Sequence, residues 1–147
     1  MITPKDILLA DDDPKDVELT LIAMDEYKLA NQVVVVSDGA EALDYLYRRG
    51  NFAERAEGNP LVVMLDLKMP KVDGLEVLKQ VKSDPVLKTI PIVILTSSRV
   101  EQDIIESYNL GVNAYVVKPV AFEKFLEVVK RISLFWILTN EYPAKKP

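Results

Sequence analysis

Four short apolar runs punctuate the chain: Ile7-Leu8-Leu9-Ala10, Val33-Val34-Val35-Val36, Leu61-Val62-Val63-Met64-Leu65 and Ile92-Val93-Ile94-Leu95. A fifth, Ala114-Tyr115-Val116-Val117, is less apolar and runs into Lys118-Pro119. Each run is continuous rather than alternating and most are β-branched, the pattern of strands covered on both faces, as in a parallel sheet flanked by helices. Between them apolar residues recur at helical spacing. Asp13-Pro14 predicts an N-cap with proline at the first helical position, ahead of Val17, Leu21 and Met24. Asp38 and Glu41 stand at capping-box spacing before Leu43, Leu46 and Tyr47. Gly74 opens a third helix bearing Val77, Leu78 and Val81, which ends near Ser83-Asp84-Pro85. Ile104, Ile105 and Tyr108 mark a fourth, stopped by Gly111, and Phe122, Phe125, Leu126, Val129 and Ile132 a fifth that starts near Val120. Strand and helix alternate throughout, which predicts a doubly wound five-stranded α/β fold.

In such a sheet ligands bind beyond the carboxyl ends of the strands. Asp11-Asp12-Asp13 follow the first strand, Asp66 the third, Thr96-Ser97-Ser98 the fourth and Lys118-Pro119 the fifth. Taken singly these are ordinary residues: an aspartate after a strand is commonly a cap or turn residue, Thr96 could cap the fourth helix and Lys118 could be a solvated surface lysine. Taken together they gather carboxylates, a hydroxyl and an ammonium at one sheet end. Composition narrows what such a group can do. The chain has no Cys and no His, which removes disulfides, thiolate sites, imidazole bases and the common zinc sites. Clustered carboxylates repel unless a cation offsets them, and with oxygen donors alone that cation is a hard one, Mg²⁺ first. Such a centre beside a hydroxyl and a lysine suits a phosphoryl group. The nucleophile is then a carboxylate, and Asp66, after the longest and most apolar run, is the best placed.

Asp11-Asp12, Asp66 with Pro70 and Asp73-Gly74 downstream, Thr96 and Lys118-Pro119 stand in the order of the response-regulator receiver family, which the chain resembles from about Ile7 to about Ile132. The resemblance implies a flavodoxin-like (βα)5 domain with strand order 2-1-3-4-5, a core over about 5–132 and a helix extension and tail over 133–147. It implies that Asp12 and Asp66 bind Mg²⁺ (or Mn²⁺), with the backbone carbonyl of Lys68 as a third ligand and Asp11 acting through water. Asp66 would accept a phosphoryl group from the phosphohistidine of a partner histidine kinase, Lys118 would pair with that group, Thr96 would move to hydrogen-bond it, and the rotamer of Tyr115 would follow. The helix 4–strand 5–helix 5 surface would change as a result. The only catalysis would be slow self-dephosphorylation, and the Lys118–Pro119 bond would be cis. A haloacid-dehalogenase-type phosphatase needs an acid two positions after its nucleophile, where this chain has Lys68. A receiver-like scaffold that is never phosphorylated is the other alternative, although such proteins typically lose an acidic-pair residue or the lysine, and both are kept here.

Two stretches exceed a minimal receiver. Residues 49–60 form a polar, glycine-flanked connection longer than the usual two to six residues or so, expected to be solvated or to touch a partner. Ser133-Leu134-Phe135-Trp136-Ile137-Leu138-Thr139 extends the last helix with an apolar surface of the kind that forms interfaces. Leu134, Phe135 and Trp136 are therefore expected in a homodimer or docking surface, unless the segment folds back over its own domain edge. These extras, with no output domain in view, resemble the stand-alone regulators paired with phytochrome-type light-sensing histidine kinases. The formal charge of −5 and the scatter of basic residues, apart from Lys145-Lys146, argue against nucleic acid. No run approaches the roughly 20 apolar residues needed to span a bilayer, and Met1–Asp6 lacks a signal-peptide pattern, so the expected address is the cytoplasm.

Overall fold

A computed structural model describes residues 6–141; the Met1–Lys5 start, the Lys145-Lys146 pair and the end of the expected tail lie outside the described residues. The predicted strands become β1 (Ile7–Ala10), β2 (Val33–Val36), β3 (Val62–Leu65), β4 (Ile92–Thr96) and β5 (Ala114–Val117). All pair in parallel in the order β2-β1-β3-β4-β5, the doubly wound flavodoxin-like arrangement. The helices are α1 (Pro14–Asp25), α2 (Gly39–Tyr47), α3 (Gly74–Ser83), α4 (Glu101–Asn109) and α5 (Phe122–Ile132). β3 takes the central place expected for the strand before Asp66, but β4 is the longest, because Leu61 stays outside the β3 ladder.

The continuous apolar runs are explained by two cores, one on each face. Leu8, Ala10, Val63, Leu65, Ile92 and Ile94 pack against α2 and α3, while the alternate residues Ile7, Leu9, Val62, Met64, Val93 and Leu95 pack against α1 and α5. Burial of each of these side chains other than Ala10 contributes about 1.5–3 kcal/mol. Caps fix the entries: Asp13 accepts from Lys15 N, Asp38 from Glu41 N and Asp73 from Glu76 N. The Glu41 carboxylate reaches back one residue further than a standard capping box, to the N–H and hydroxyl of Ser37. Gly74 is required by close approach, since a Cβ there would sit 2.3 Å from the carbonyl oxygen of Asp66. α4 departs from the expected inward apolar face: Ile105 and Tyr108 are exposed and only Ser107 is buried.

Three expectations change. Residues 49–60 are not simply a solvated excursion. A short 3₁₀ turn, Gly50–Phe52, sets Phe52 edge-on against Tyr45 with ring centroids 5.2 Å apart. Arg55 stacks over the Tyr45 ring at 4.1 Å and donates to the carbonyls of Tyr45, Ala56 and Gly58. The Lys118–Pro119 bond is trans, not cis; trans is the lower form of an X–Pro bond by about 0.5–1 kcal/mol, and the Lys118 side chain reaches the sheet end from it. Finally, α5 does not simply lengthen. It passes into a π-turn at Ser133–Ile137, where Leu138 N donates to Ser133 O. The π-turn divides the apolar extension: Ile137 is buried and Trp136 packs partly on the α1/α5 core, while Leu134, Phe135 and Leu138 stay about half exposed.

Candidate functional site

Backbone hydrogen bonds draw the strand ends together. Asp11 N donates to Val36 O, Asp66 N to Ala10 O and Lys118 N to Thr96 O, so the loops after β1, β3, β4 and β5 are stitched to their neighbours where the ladders stop. Asp11 and Asp66 thereby become adjacent, and Asp12 joins them: one carboxylate oxygen from each lies within 4.8 Å of the others. Asp11 and Asp66 are buried and Asp12 is exposed. The donor set is all hard oxygen, with one side open to solvent, and fits a six-coordinate ion that keeps several waters, such as Mg²⁺ or Mn²⁺.

Lys118 supplies the countercharge. Its Nζ lies 2.8 Å from Asp11 Oδ2, 3.0 Å from Asp66 Oδ2 and 2.9 Å from Asp16 Oδ2. Burial works against its charge, but hydrogen bonds to Asp11 and Asp16 and the fields of Asp11 and Asp66 outweigh it and hold the ammonium above the ordinary lysine range. Burial pushes the carboxyl of Asp11 upward, opposed by its bonds from Lys118 and from the backbone N–H of Asp13. Every buried polar side-chain atom among the described residues has a partner.

Thr96 is fully buried at the end of β4, where its hydroxyl accepts from Ser98 N at 3.4 Å; it does not cap α4, whose N-cap Val100 lacks a side-chain bond. Tyr115, half-buried on β5, donates its hydroxyl to Ser98 O at 3.1 Å. Both are thus tied to the β4–α4 loop. Ser98 also donates to Asp103 on α4, and Asp103 in turn faces the ammonium of Lys68 at 3.6 Å. The Lys68 side chain is exposed, and its N–H donates to Asp66 Oδ1 at 3.4 Å. Phe135 and Trp136, stacked edge-to-face at 5.1 Å, belong to the far end of α5 and not to this cluster.

Asp16 is the residue that sequence reasoning missed. It sits in the first turn of α1, where an acid is favourable beside any helix N-terminus. Its one sequence signal is position, three residues past the cap Asp13 on the helix that follows the Asp11-Asp12 loop.

Comparison with known proteins agrees with this geometry. Residues 7–130 match the model of the response regulator receiver domain. The response regulator Rcp1 of Synechocystis is 36% identical over 141 residues, spanning 96% of this chain and 95% of Rcp1. Its Mn(2+)-bound structure superposes with a TM-score of 0.89. The phosphorylated cyanobacterial phytochrome response regulator RcpA is 40% identical, with a TM-score of 0.90 over 97% of this chain and all of that one. The bacteriophytochrome response regulator RtBRR is 57% identical, with a TM-score of 0.76 over 96% of this chain and 85% of that one. Receiver domains are signalling phosphoacceptors of two-component systems and bind divalent metal at this acidic pocket. The chain belongs to the response regulator receiver family and is related to the phytochrome response regulators.

Proposed function

We propose that this chain is a response regulator that takes a phosphoryl group from a partner histidine kinase on Asp66, downstream of a phytochrome-like photoreceptor. The observation that carries the reading is the Lys118 ammonium 3.0 Å from Asp66 Oδ2, in a pocket where Asp11, Asp12 and Asp66 can share one ion. Asp12, Asp66 and the Lys68 carbonyl would hold Mg²⁺, with Asp11 acting through water; the ion supplies charge neutralisation for phosphoryl oxygens. A carboxylate oxygen of Asp66 attacks phosphorus, an O–P bond forms, the N–P bond of the phosphohistidine breaks, and the imidazole nitrogen leaves with the electron pair. Lys118 turns an N–H to the new phosphoryl oxygens. Thr96 exchanges its contact with Ser98 N for a hydrogen bond donated to the phosphoryl group. The same loop carries the Tyr115 contact, so the movement frees that ring and alters the α4–β5–α5 surface, a two-state equilibrium biased by new charge. Self-dephosphorylation is slow and no other turnover is expected.

The receiver occupies about 5–132, and the segment from 133 onward serves association. Exposed Ile105 and Tyr108 on α4, Phe122 on α5, and Leu134 and Phe135 beyond it offer the apolar area for a homodimer, with Trp136 bracing it from the domain side.

Incubation with acetyl phosphate and Mg²⁺, read by intact mass, tests the acceptor. A single phosphoryl adduct absent from Asp66→Asn is the expected result. No adduct with any donor would favour the unphosphorylated scaffold. Sedimentation of Phe135→Ala beside the parent tests the dimer; an unchanged mass removes it.

A further inference from the structure

An ammonium has three N–H bonds, and all three of Lys118 are directed at carboxylates: Asp11, Asp16 and Asp66. Two of these have other work in the proposed reaction. Asp66 is the acceptor, and Asp11 lies in the metal-holding group. Asp16 lies outside that group, yet its carboxylate stands 2.9 Å from Nζ, between Asp11 at 2.8 Å and Asp66 at 3.0 Å. It is fixed there by α1, whose first turn is set by Asp13 and Pro14. Its side chain is 23% exposed, against 4% for Asp11 and 10% for Asp66, so it meets Lys118 from the solvent side of the pocket.

A phosphoryl group arriving on Asp66 brings negative charge and needs an N–H of Lys118, but none is open. One carboxylate has to yield. Asp16 opposes the arrival in two ways of the same sign: it occupies an N–H, and it adds a negative charge next to the place where negative charge accumulates. We propose that Asp16 is a resting-state counter-ligand for Lys118, a positioning residue that competes with the phosphoryl group and so restrains phosphorylation of the site. The inference rests on Asp66 being the acceptor. If Asp16 served only to place the lysine, its loss would slow the reaction; competition predicts the opposite.

The test is the initial rate of adduct formation with acetyl phosphate and Mg²⁺, by intact mass. In that reaction Asp66 forms an O–P bond, the bond from phosphorus to the acetyl oxygen breaks, and acetate leaves with the electron pair. Asp16→Asn keeps size and an acceptor oxygen but loses charge, and should react about three- to tenfold faster than the parent. Asp16→Glu, which keeps the charge, should stay near the parent rate. The gain should shrink as ionic strength rises, since the displaced charge is partly exposed. Asp16→Ser, short and neutral, repeats the measurement with a second side chain, and thermal melting confirms that each variant is folded. Folded neutral variants that react at the parent rate or slower overturn the proposal. If the parent is labelled and Asp66→Asn is not, that failure belongs to Asp16 alone. A parent that takes no label overturns the acceptor reading and this inference with it.

Discussion

Lys118, buried, and Lys82, half-buried, each have three oxygen partners, and their pKa values are displaced in opposite directions. Lys118 stands at the carboxyl end of the sheet among the carboxylates of Asp11, Asp16 and Asp66. Lys82, at the end of α3, donates to the carbonyls of Lys88 and Ile90 and to Asn113 Oδ1 at the opposite end of the sheet. Burial lowers Lys82 below the ordinary lysine range, because neutral oxygens satisfy its protons without offsetting its charge. The surrounding carboxylates take Lys118 the other way. Hydrogen-bond satisfaction is therefore common to both ends, and net charge separates them. One cluster closes a helix end. The other keeps a cation among anions that an incoming metal or phosphoryl group can rearrange.

The largest difference should appear on truncation. Lys118→Met leaves Asp11, Asp16 and Asp66 together without a countercharge, and removal of one partner from a buried ionic group costs about 3–5 kcal/mol. Urea unfolding without metal should show that loss, and added Mg²⁺ should recover more stability in this variant than in the parent, by replacing the missing cation. Lys82→Met removes hydrogen bonds to neutral acceptors that water can largely reach, at about 0.5–1.5 kcal/mol, and its stability should respond to Mg²⁺ as the parent's does. Equal responses of the two variants to Mg²⁺ would remove the distinction.

A smaller effect separates the two in alkali. The Lys82 pKa is lower folded than unfolded, so between the two values the unfolded chain holds more protons and stability rises with pH. For Lys118 the folded value is the higher one. Its contribution is complete below the ordinary lysine value and is lost only as pH climbs through the folded one. Over the pH range just below the ordinary lysine value the stability of the parent should therefore rise relative to that of Lys82→Met. A flat difference across that range would show that Lys82 keeps an ordinary pKa.

The contrast also marks what the sequence could convey. Strand positions, the helix caps at Asp13 and Asp38, and the convergence of Asp11, Asp12, Asp66 and Lys118 follow from local pattern plus one topological rule, and all of them are found. What escaped depends on distances between elements remote in sequence. Asp16 and Lys118 are 102 residues apart, and an acid in a first helical turn explains itself without the contact. The hold of Arg55 on Tyr45 hides in a stretch whose composition reads as loop. The trans Lys118–Pro119 bond contradicts an expectation taken from the family rather than from these residues. The π-turn after Ile132 has no periodic signature, because Leu134, Phe135, Trp136 and Ile137 suit any helical register.

The finest test converts one cluster toward the other. Asn113 Oδ1 accepts from Lys82 Nζ at 3.1 Å and from Ile92 N at 2.8 Å. Asn113→Asp keeps an oxygen for both donors and changes mainly the charge beside the ammonium. Lys82 should then regain a pKa at or above the ordinary lysine value, for the reason that holds at Lys118, and the alkaline rise in stability should disappear. The gain at neutral pH should be small, about 1 kcal/mol or less, because Lys82 remains partly open to water, which screens the pair. Comparison of Asn113→Asp with Lys82→Met/Asn113→Asp isolates the pair, since without the ammonium the new carboxylate has nothing to offset. If the alkaline rise survives in Asn113→Asp, burial and not the charge of the partners sets the state of Lys82. The opposition between the two lysines would then have to come from their depth.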